Sequence, residues 1–352
     1  MAYGNPPAYM GFVGFLRFQA GNVLLGGGST AYNHDAMTVR ATSADINVSQ
    51  EVTKPDVIDS RYDRTVYQLG PKLVDGTIAF PAVYDQQGGA NIVEALYRYA
   101  VTRADLDGLL SAFNLEVKYA INSDPNESNF IYRGCIANTF QFSVAQEDTV
   151  NISVGVIGIE RQLATSETSA LTNGNWSPPT ADEISNTRIV TWNDARVEIR
   201  EGVIRPGISI IDGDYVRTFE CNINNNAERF YTLNKELFPQ AIAPTKRDID
   251  GSMEMMGRHK YLAELAWDNQ RYCQEDTSIA FGFKPQVTLA ACNSEFTVLL
   301  PNIVFEIEEM ALTNDLFVTT LNWHCLPAAG TGIDDPLIAN INTVNFKIDE
   351  VG

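Results

Sequence analysis

Val216-Arg217-Thr218-Phe219-Glu220-Cys221-Asn222-Ile223-Asn224-Asn225, followed by Asp250-Gly251-Ser252-Met253-Glu254-Met255, is the passage that decides the fold. Apolar and polar residues alternate in both pieces, the period of a half-buried strand. The first half of the chain carries a weaker version of the same passage. Val39-Arg40 and Ile46-Asn47 match Val216-Arg217 and Ile223-Asn224 at an offset of 177. Asp75-Gly76-Thr77 matches Asp250-Gly251-Ser252 at 175. Upstream, Phe18, Val23 and Leu25 match Trp192, Val197 and Ile199 at 174. Downstream, Ile92-Val93 and Leu96 match Tyr261-Leu262 and Leu265 at 169, and Phe140 and Phe142 match Phe305 and Ile307 at 165. The order is kept while the offset drifts, as loop insertions and deletions make it drift between two copies of one unit. A period of half the chain predicts two similar domains rather than a solenoid.

The bulk numbers agree. A chain of 352 residues has a length prior of two domains, and 45% hydrophobic content is that of a globular protein. The division predicts a first domain over 1–162, a linker over 163–187 rich in Ser, Thr, Asn and Pro, and a second domain over 188–352 with a C-terminal extension. The formal net charge of −19 argues against a surface that binds nucleic acid by replacing counterions, and against anionic membranes. No run approaches 18 apolar residues. Met1-Ala2-Tyr3-Gly4-Asn5-Pro6-Pro7 lacks a basic start and a long apolar core, so synthesis in a cytosol is expected. Cys135, Cys221, Cys273, Cys292 and Cys325 are odd in number and contain no CxxC, so free thiols are expected.

Along the chain, alternation predicts strands at Phe12–Leu25, 37–48, Thr77–Val83, Leu115–Ile121, Phe130–Ile136, Phe140–Val144 and Val150–Ile159. In the second half it predicts Ile189–Ile199, Tyr215–Ile223, Gly251–Met256, Ser278–Phe283, Val287–Cys292, Phe296–Ile307 and Leu316–His324. Helical spacing marks 91–103 and about 258–270. Residues 49–74 and 225–249 never settle into a period and read as long loops or arms. The tail holds one apolar run, Val344-Asn345-Phe346-Lys347-Ile348, suited to a closing strand on its own chain or a neighbour.

Little in this sequence has the spacing of chemistry. His34, His259 and His324 form no HxxxH pattern, and His324 and Cys325 are adjacent strand residues that point to opposite faces. Asp248-Ile249-Asp250-Gly251 is part of a calcium-loop pattern, but Lys246 occupies one ligand position; Asp-Gly here reads as a turn or cap before a strand. Glu306 and Glu308 alternate with Phe305 and Ile307, which places them on one polar strand face rather than in an acid–base pair. Gly26-Gly27-Gly28 and Gly330-Thr331-Gly332 lack the partners of a phosphate loop, and no nucleophile constellation occurs. No catalytic residue, cofactor site or metal site is assigned.

The pattern resembles the major tail tube proteins of long-tailed bacteriophages. Carrying the resemblance are Val216–Asn225 and Asp250–Met255, the weaker Val39–Asn47 and Asp75–Phe80, and the order strand, long loop, strand opening on Asp-Gly, helix, closing strands. It implies a mainly β protein of two tandem tube-like sandwich or barrel domains, each with one flanking helix. Many members carry one such domain and form hexameric rings. Two domains imply homotrimeric rings of pseudo-sixfold symmetry, stacked into a tube that conducts double-stranded DNA. Tape measure, terminator and baseplate or tip proteins would be partners, with the virion tail as location and the host cytoplasm as place of assembly. In such a tube, Asp45, Glu306 and Glu308 are candidates for an acidic lumen. Lys54, Asp56, Asp59, Arg61, Asp63 and Arg64 are candidates for ring-to-ring contact. Two other readings stay open. A baseplate hub or tail-tip ring protein also resembles fused tube domains, and copy number separates it. An enzyme or carbohydrate-binding sandwich would show a pocket lined by converging polar groups.

Overall fold

A computed structural model describes residues 13–20, 37–53, 68–84, 92–101, 110–119, 129–163, 188–201, 216–231, 239, 241–256, 277–283, 296–300, 303–307 and 318–326. The first half contributes β1 (Val13–Ala20), β2 (Met37–Arg40), β3 (Ser43–Thr53), β4 (Gln68–Pro81), β5 (Val83–Tyr84), helix α1 (Ile92–Val101), β6 (Phe113–Tyr119), β7 (Asn129–Ala145), β8 (Asn151–Gly158) and β9 (Glu160–Leu163). The second half opens with β10 (Arg188–Ile189), a 3-10 turn at Trp192–Asp194 and β11 (Ala195–Glu201). It continues with β12 (Val216–Asn224), β13 (Glu228–Phe230), β14 (Ala241–Ala243), β15 (Asp248–Met256), β16 (Thr277–Phe283), β17 (Phe296–Leu300), β18 (Ile303–Ile307) and β19 (Val318–Cys325). The described fold is mainly β, as expected, and its sheets are antiparallel. The helix expected near 258–270, the strand expected at Val287–Cys292, and the tail lie outside the described residues.

Eight strands form one long sheet in the order β18-β19-β15-β12-β7-β8-β4-β3. It crosses from one half of the chain to the other where β12 pairs with β7, from Thr218 opposite Ala145 to Asn224 opposite Thr139. The pairing order β3-β4-β8-β7 in the first half has the same form as β12-β15-β19-β18 in the second. Outside this sheet, β1 pairs with β6 and β6 with β7, while β11 pairs with β16 and β16 with β17. The long strand β7 serves two sheets. Its first part pairs with β6 and β9, and its second part with β8 and β12. Gly134 at φ +59° and a register shift between Ala137 and Thr139 mark the transition. An extra residue in one strand bends it and increases its twist.

Alternation builds the core. Phe140, Phe142, Phe219, Cys221, Ile223, Met253 and Trp323 point to one face and are buried. Both halves contribute to one large hydrophobic cluster, and a smaller one joins Leu110, Ala112, Ile136 and Ile159 to Ile242 of the second half. Phe142 lies 4.9 Å from Phe281 and 6.3 Å from Phe219 between ring centroids, and Trp323 stacks on Phe219 at 5.8 Å. Helix α1 is buried on nearly every side; only its Glu94–Arg98 edge, an i,i+4 pair at 2.7 Å, meets solvent. Its Tyr97 sits edge-on to Phe140 and to Phe296 of the other half.

The end of that helix is closed from the second half. The buried Asn225 amide donates to the Ala100 carbonyl at 2.8 Å and the Ala137 carbonyl at 3.0 Å. Arg247 donates from Nε to Asn225 Oδ1 at 2.8 Å and from Nη2 to the Val101 carbonyl at 2.9 Å. The last carbonyls of a helix have no partner within it, and an unpaired buried polar group costs about 1–3 kcal/mol. Asn225 is therefore fixed by the needs of another element, 125 residues away.

Several expectations are corrected. Residues 49–74 are not a loop throughout: β3 runs to Thr53 and β4 starts at Gln68. This ribbon satisfies its backbone by self-pairing and extends past β8, which reaches only to Val74. At its far end Val52 and Leu69 are exposed, so burial imposed no period on them. Residues 225–249 likewise contain the hairpin β13–β14 and the start of β15. Phe130–Ile136 and Phe140–Val144 are one bent strand. Ile189–Ile199 is interrupted by the 3-10 turn, and Phe296–Ile307 comprises β17 and β18. The Asp-Gly pairs are not turns. Gly76 and Gly251 lie within β4 and β15, where a neighbouring backbone passes too close for a side chain.

The pairing also refines the equivalences. Gly76 stands opposite Ile46, and Gly251 opposite Cys221, so β3 and β12 correspond at 175 rather than 177. Val39-Arg40 falls on β2, whereas Val216-Arg217 falls on β12. Phe140 is opposite Val154 and Ile307 opposite Leu321, which pairs Phe140 with Ile307 rather than Phe305.

Candidate functional site

The face of the long sheet turned away from the main core is the surface with the most distinctive chemistry. Among its described residues are seven carboxylates, Asp45, Asp75, Glu220, Asp248, Asp250, Glu254 and Glu306, beside Ser, Thr, Asn and Gln and some apolar side chains, of which Ile157 packs in a small second cluster with Ile136 and Ile242. Among the described residues of that face there is no Lys or Arg, and His324 is its one basic side chain. Among the described residues, cations reach this face from adjoining segments. Arg229 of β13 pairs with Asp75 and also donates to the Val74 carbonyl at 2.7 Å, and Lys246 reaches Asp248 at 3.2 Å. The acids are spread over five of the eight strands, not gathered into a pocket. Gln141 of β7 donates to Glu220 of β12 at 2.7 Å across the junction of the two halves. His324 Nε2 lies 3.5 Å from Glu306 Oε1.

Asp250 is the perturbed carboxyl of this face. Burial raises it above the ordinary carboxylate range, Asp248 and Glu220 push the same way, and His324 and the Asn222 side chain pull it down. The folded state therefore binds this proton more tightly than the unfolded chain. The resulting stabilisation is complete below the ordinary value of 3.8 and is lost as pH rises through the raised folded value. Asp250→Asn is expected to raise the melting temperature at pH 7 and to lose that advantage by pH 3. A thermal melt series across this range checks it, and a lowered melting temperature at pH 7 contradicts it.

Of the sequence-predicted face residues, Asp45 and Glu306 do share this face, although they sit on opposite edge strands. Asp45 accepts from the Asn47 amide at 3.3 Å. Glu308 and the charged series Lys54, Asp56, Asp59, Arg61, Asp63 and Arg64 lie outside the described residues, as do His34 and His259. Glu220, Asp248, Asp250 and Glu254 join Asp45 and Glu306 on this face, and for β15 the sequence carries the signal. Asp248-x-Asp250-x-Ser252-x-Glu254 has the two-residue period of one strand face. The calcium-like Asp248-Ile249-Asp250-Gly251 lies in strand β15, with its two carboxylates on the open face and Ile249 in the core.

Elsewhere the groups are quiet. Cys135 and Cys221 are free thiols, and burial pushes both far above the ordinary thiol range, so they stay protonated. A cleft of about 520 Å³ lies between β11 and the start of β12, lined by Trp192, Arg196, Glu198, Val216, Arg217 and Met256 among others. Among the described residues, no three His, Cys, Asp or Glu side chains converge as metal ligands, and no helix is long and apolar enough to cross a membrane.

Fold and face together define an antiparallel β protein whose long sheet packs one side on a shared core and turns an acidic, polar side outward. Residues 3–256 match the phage tail tube protein family, and the chain belongs to it. The family is a structural, non-enzymatic one, and its members are components of the virion tail. No curated protein matches the chain.

Proposed function

We propose that the chain is two copies of one tube-type unit, that three chains close a ring of pseudo-sixfold symmetry, and that rings stack into the tail tube through which double-stranded DNA is ejected. The observation that carries this reading is the long sheet itself. It joins two halves of like pairing order edge to edge and carries acids of both halves on the same face. Turned to an axis, that face lines a channel that repels phosphates. Among the described residues it ends in two strands paired on one side only, β3 and β18, and such edges are aggregation templates unless another strand covers them. A heterologous contact that closes on itself covers both at once.

Stacking falls to the ribbons. Val52 and Leu69 stand opposite each other on the β3–β4 ribbon and are 45% and 47% exposed. On the second-half hairpin, Phe230 and Tyr231 are also exposed. Large apolar side chains held in water mark an interaction surface. The series Lys54, Asp56, Asp59, Arg61, Asp63 and Arg64 continues directly from this ribbon and would add polar contacts. The tape measure, the terminator and a baseplate or tip would cap and fill the tube, which is assembled in the host cytoplasm.

Electron microscopy of the purified protein tests the reading. Wild-type protein should give rings and tubes. The Leu69→Glu, Phe230→Glu variant should fold, by circular dichroism, yet stop at rings. Wild-type protein that stays monomeric at high concentration overturns the assembly reading. Wild-type-like tubes from the double variant overturn the stacking assignment. A hub protein, present once per particle, is recognised by its copy number in virions.

A further inference from the structure

We propose that the ring closes by antiparallel pairing of β3 with β18 of the next chain, in the register that sets Ser49 opposite Glu306 and Val48 opposite Ile307. The inference rests on the ring reading and specifies its contact. The template is the pairing of β12 with β7 inside the chain. On one side, β12 leans on β15 with Cys221 opposite Gly251, as β3 leans on β4 with Ile46 opposite Gly76. Val48 therefore holds the place of Ile223. On the other side, Phe140 of β7 lies opposite Val154, and Ile307 of β18 lies opposite Leu321. Val154 and Leu321 in turn correspond, because Val156 and Trp323 face the two equivalent glycines. Within the chain Ile223 faces Phe140 and Asn224 faces Thr139. Transferred, Val48 faces Ile307 and Ser49 faces Glu306.

Three further observations fit. Val48 packs against the core but is only partly buried, whereas its counterpart Ile223 is fully buried. A covering strand would complete what β7 completes for β12. Ser49 and Glu306 both lie on the exposed face, as directly opposed residues must, and a one-residue slip would turn the Glu306 carboxylate toward the core. Gln50 and Lys72, one opposite the other, occupy the ranks of Asn225 and Arg247, which clamp the two halves together. Gln50 thus carries an amide at the rank of Asn225, and in the single chain that amide donates to the Gly70 carbonyl of its own ribbon at 3.0 Å.

The experiment is cysteine cross-linking in the full-length chain with Ser49→Cys and Glu306→Cys together. Cysteines bridge only when their Cα atoms come within about 7 Å. Assembled protein is oxidised and run on a non-reducing gel beside electron micrographs of the same sample. Thr139→Cys with Asn224→Cys is the intrachain standard, and each single variant reports bridging to native thiols. Expected is a ladder of dimer and closed trimer, with most chains cross-linked. The slipped pair, Val48→Cys with Glu306→Cys, should give at most a tenth of that yield. Intact rings without the Ser49–Glu306 bridge, a bridge confined to single chains, or an equal yield from the slipped pair overturns this contact and leaves the ring reading standing. Absence of rings and of the ladder removes both.

Discussion

Gly251→Ala is expected to cost at least about 3 kcal/mol of folding stability, the upper end of what overpacking does in a core. A Cβ placed at this position meets the Glu220 carbonyl oxygen at 2.0 Å and Trp323 Cζ2 at 2.3 Å. Neither neighbour has room to give. The carbonyl belongs to the backbone of β12, which is held on its other edge by β7. The indole is fully buried and stacked on Phe219. Gly76→Ala repeats the problem in the first half, with the Asp45 carbonyl at 2.3 Å and Ile46 Cα at 2.5 Å. Against a typical total of about 5–15 kcal/mol, either change removes a large share. Gly158→Ala is the matched control, because its nearest neighbours are side-chain atoms of Val74 and Cys135 at 3.1 and 3.2 Å. Urea unfolding followed by fluorescence gives all three values. Adding Trp323→Phe to Gly251→Ala should recover little, since the backbone clash remains. A Gly251→Ala midpoint within the error of wild type would show that the strands separate more readily than this packing allows.

These glycines also show where the sequence could be read and where it could not. Alternation located the strands that have a core on one side, because burial imposes a two-residue period: β8, β12 and β19 lie within two residues of their expected ends. It failed for the ribbon of β3 and β4 beyond Val74, which pairs with itself and leaves Val52 and Leu69 exposed. Local chemistry misled at Asp75-Gly76 and Asp250-Gly251. The dipeptide is the usual mark of a turn, but here the missing side chain makes space for a neighbouring strand, a reason set by residues up to 72 positions away, as Gly251 with Trp323 shows. Asn225 is a similar case, since only the folded chain brings it to the end of α1. The acidic face was half legible. Glu306 and Asp45 stood out as acids within strands, while Glu220, Asp250 and Glu254 needed the pairing of β12 with β15 to be seen as one surface.

Reversing the charge of that face is the second change with a large expected effect. Glu254→Lys with Asp250→Lys alters β15, an interior strand of the long sheet, away from the two edges assigned to ring closure. In a channel lined by the acidic face, wild-type tubes should leave short double-stranded DNA unbound at all salt concentrations. Duplex DNA presents one negative charge per roughly 1.7 Å of axis, and each phosphate neutralised by a lysine releases counterions. Tubes of the double variant should therefore retain duplexes at 50 mM salt. If about six to ten phosphates are contacted along the stacked rings, affinity falls by a factor of about 10³–10⁵ between 50 and 200 mM. Co-sedimentation of labelled duplex with tubes measures this directly, and electron microscopy confirms that the variant still assembles. Virions carrying the variant should eject their DNA more slowly, with the delay shrinking as salt rises and the Debye length falls below about 8 Å. In such a ring the wild-type carboxylates would also face one another and their repulsion would oppose closure, so added salt should favour ring formation for wild type. Variant tubes that ignore DNA at 50 mM would place the acidic face on the outside of the tube, where it would serve solubility alone.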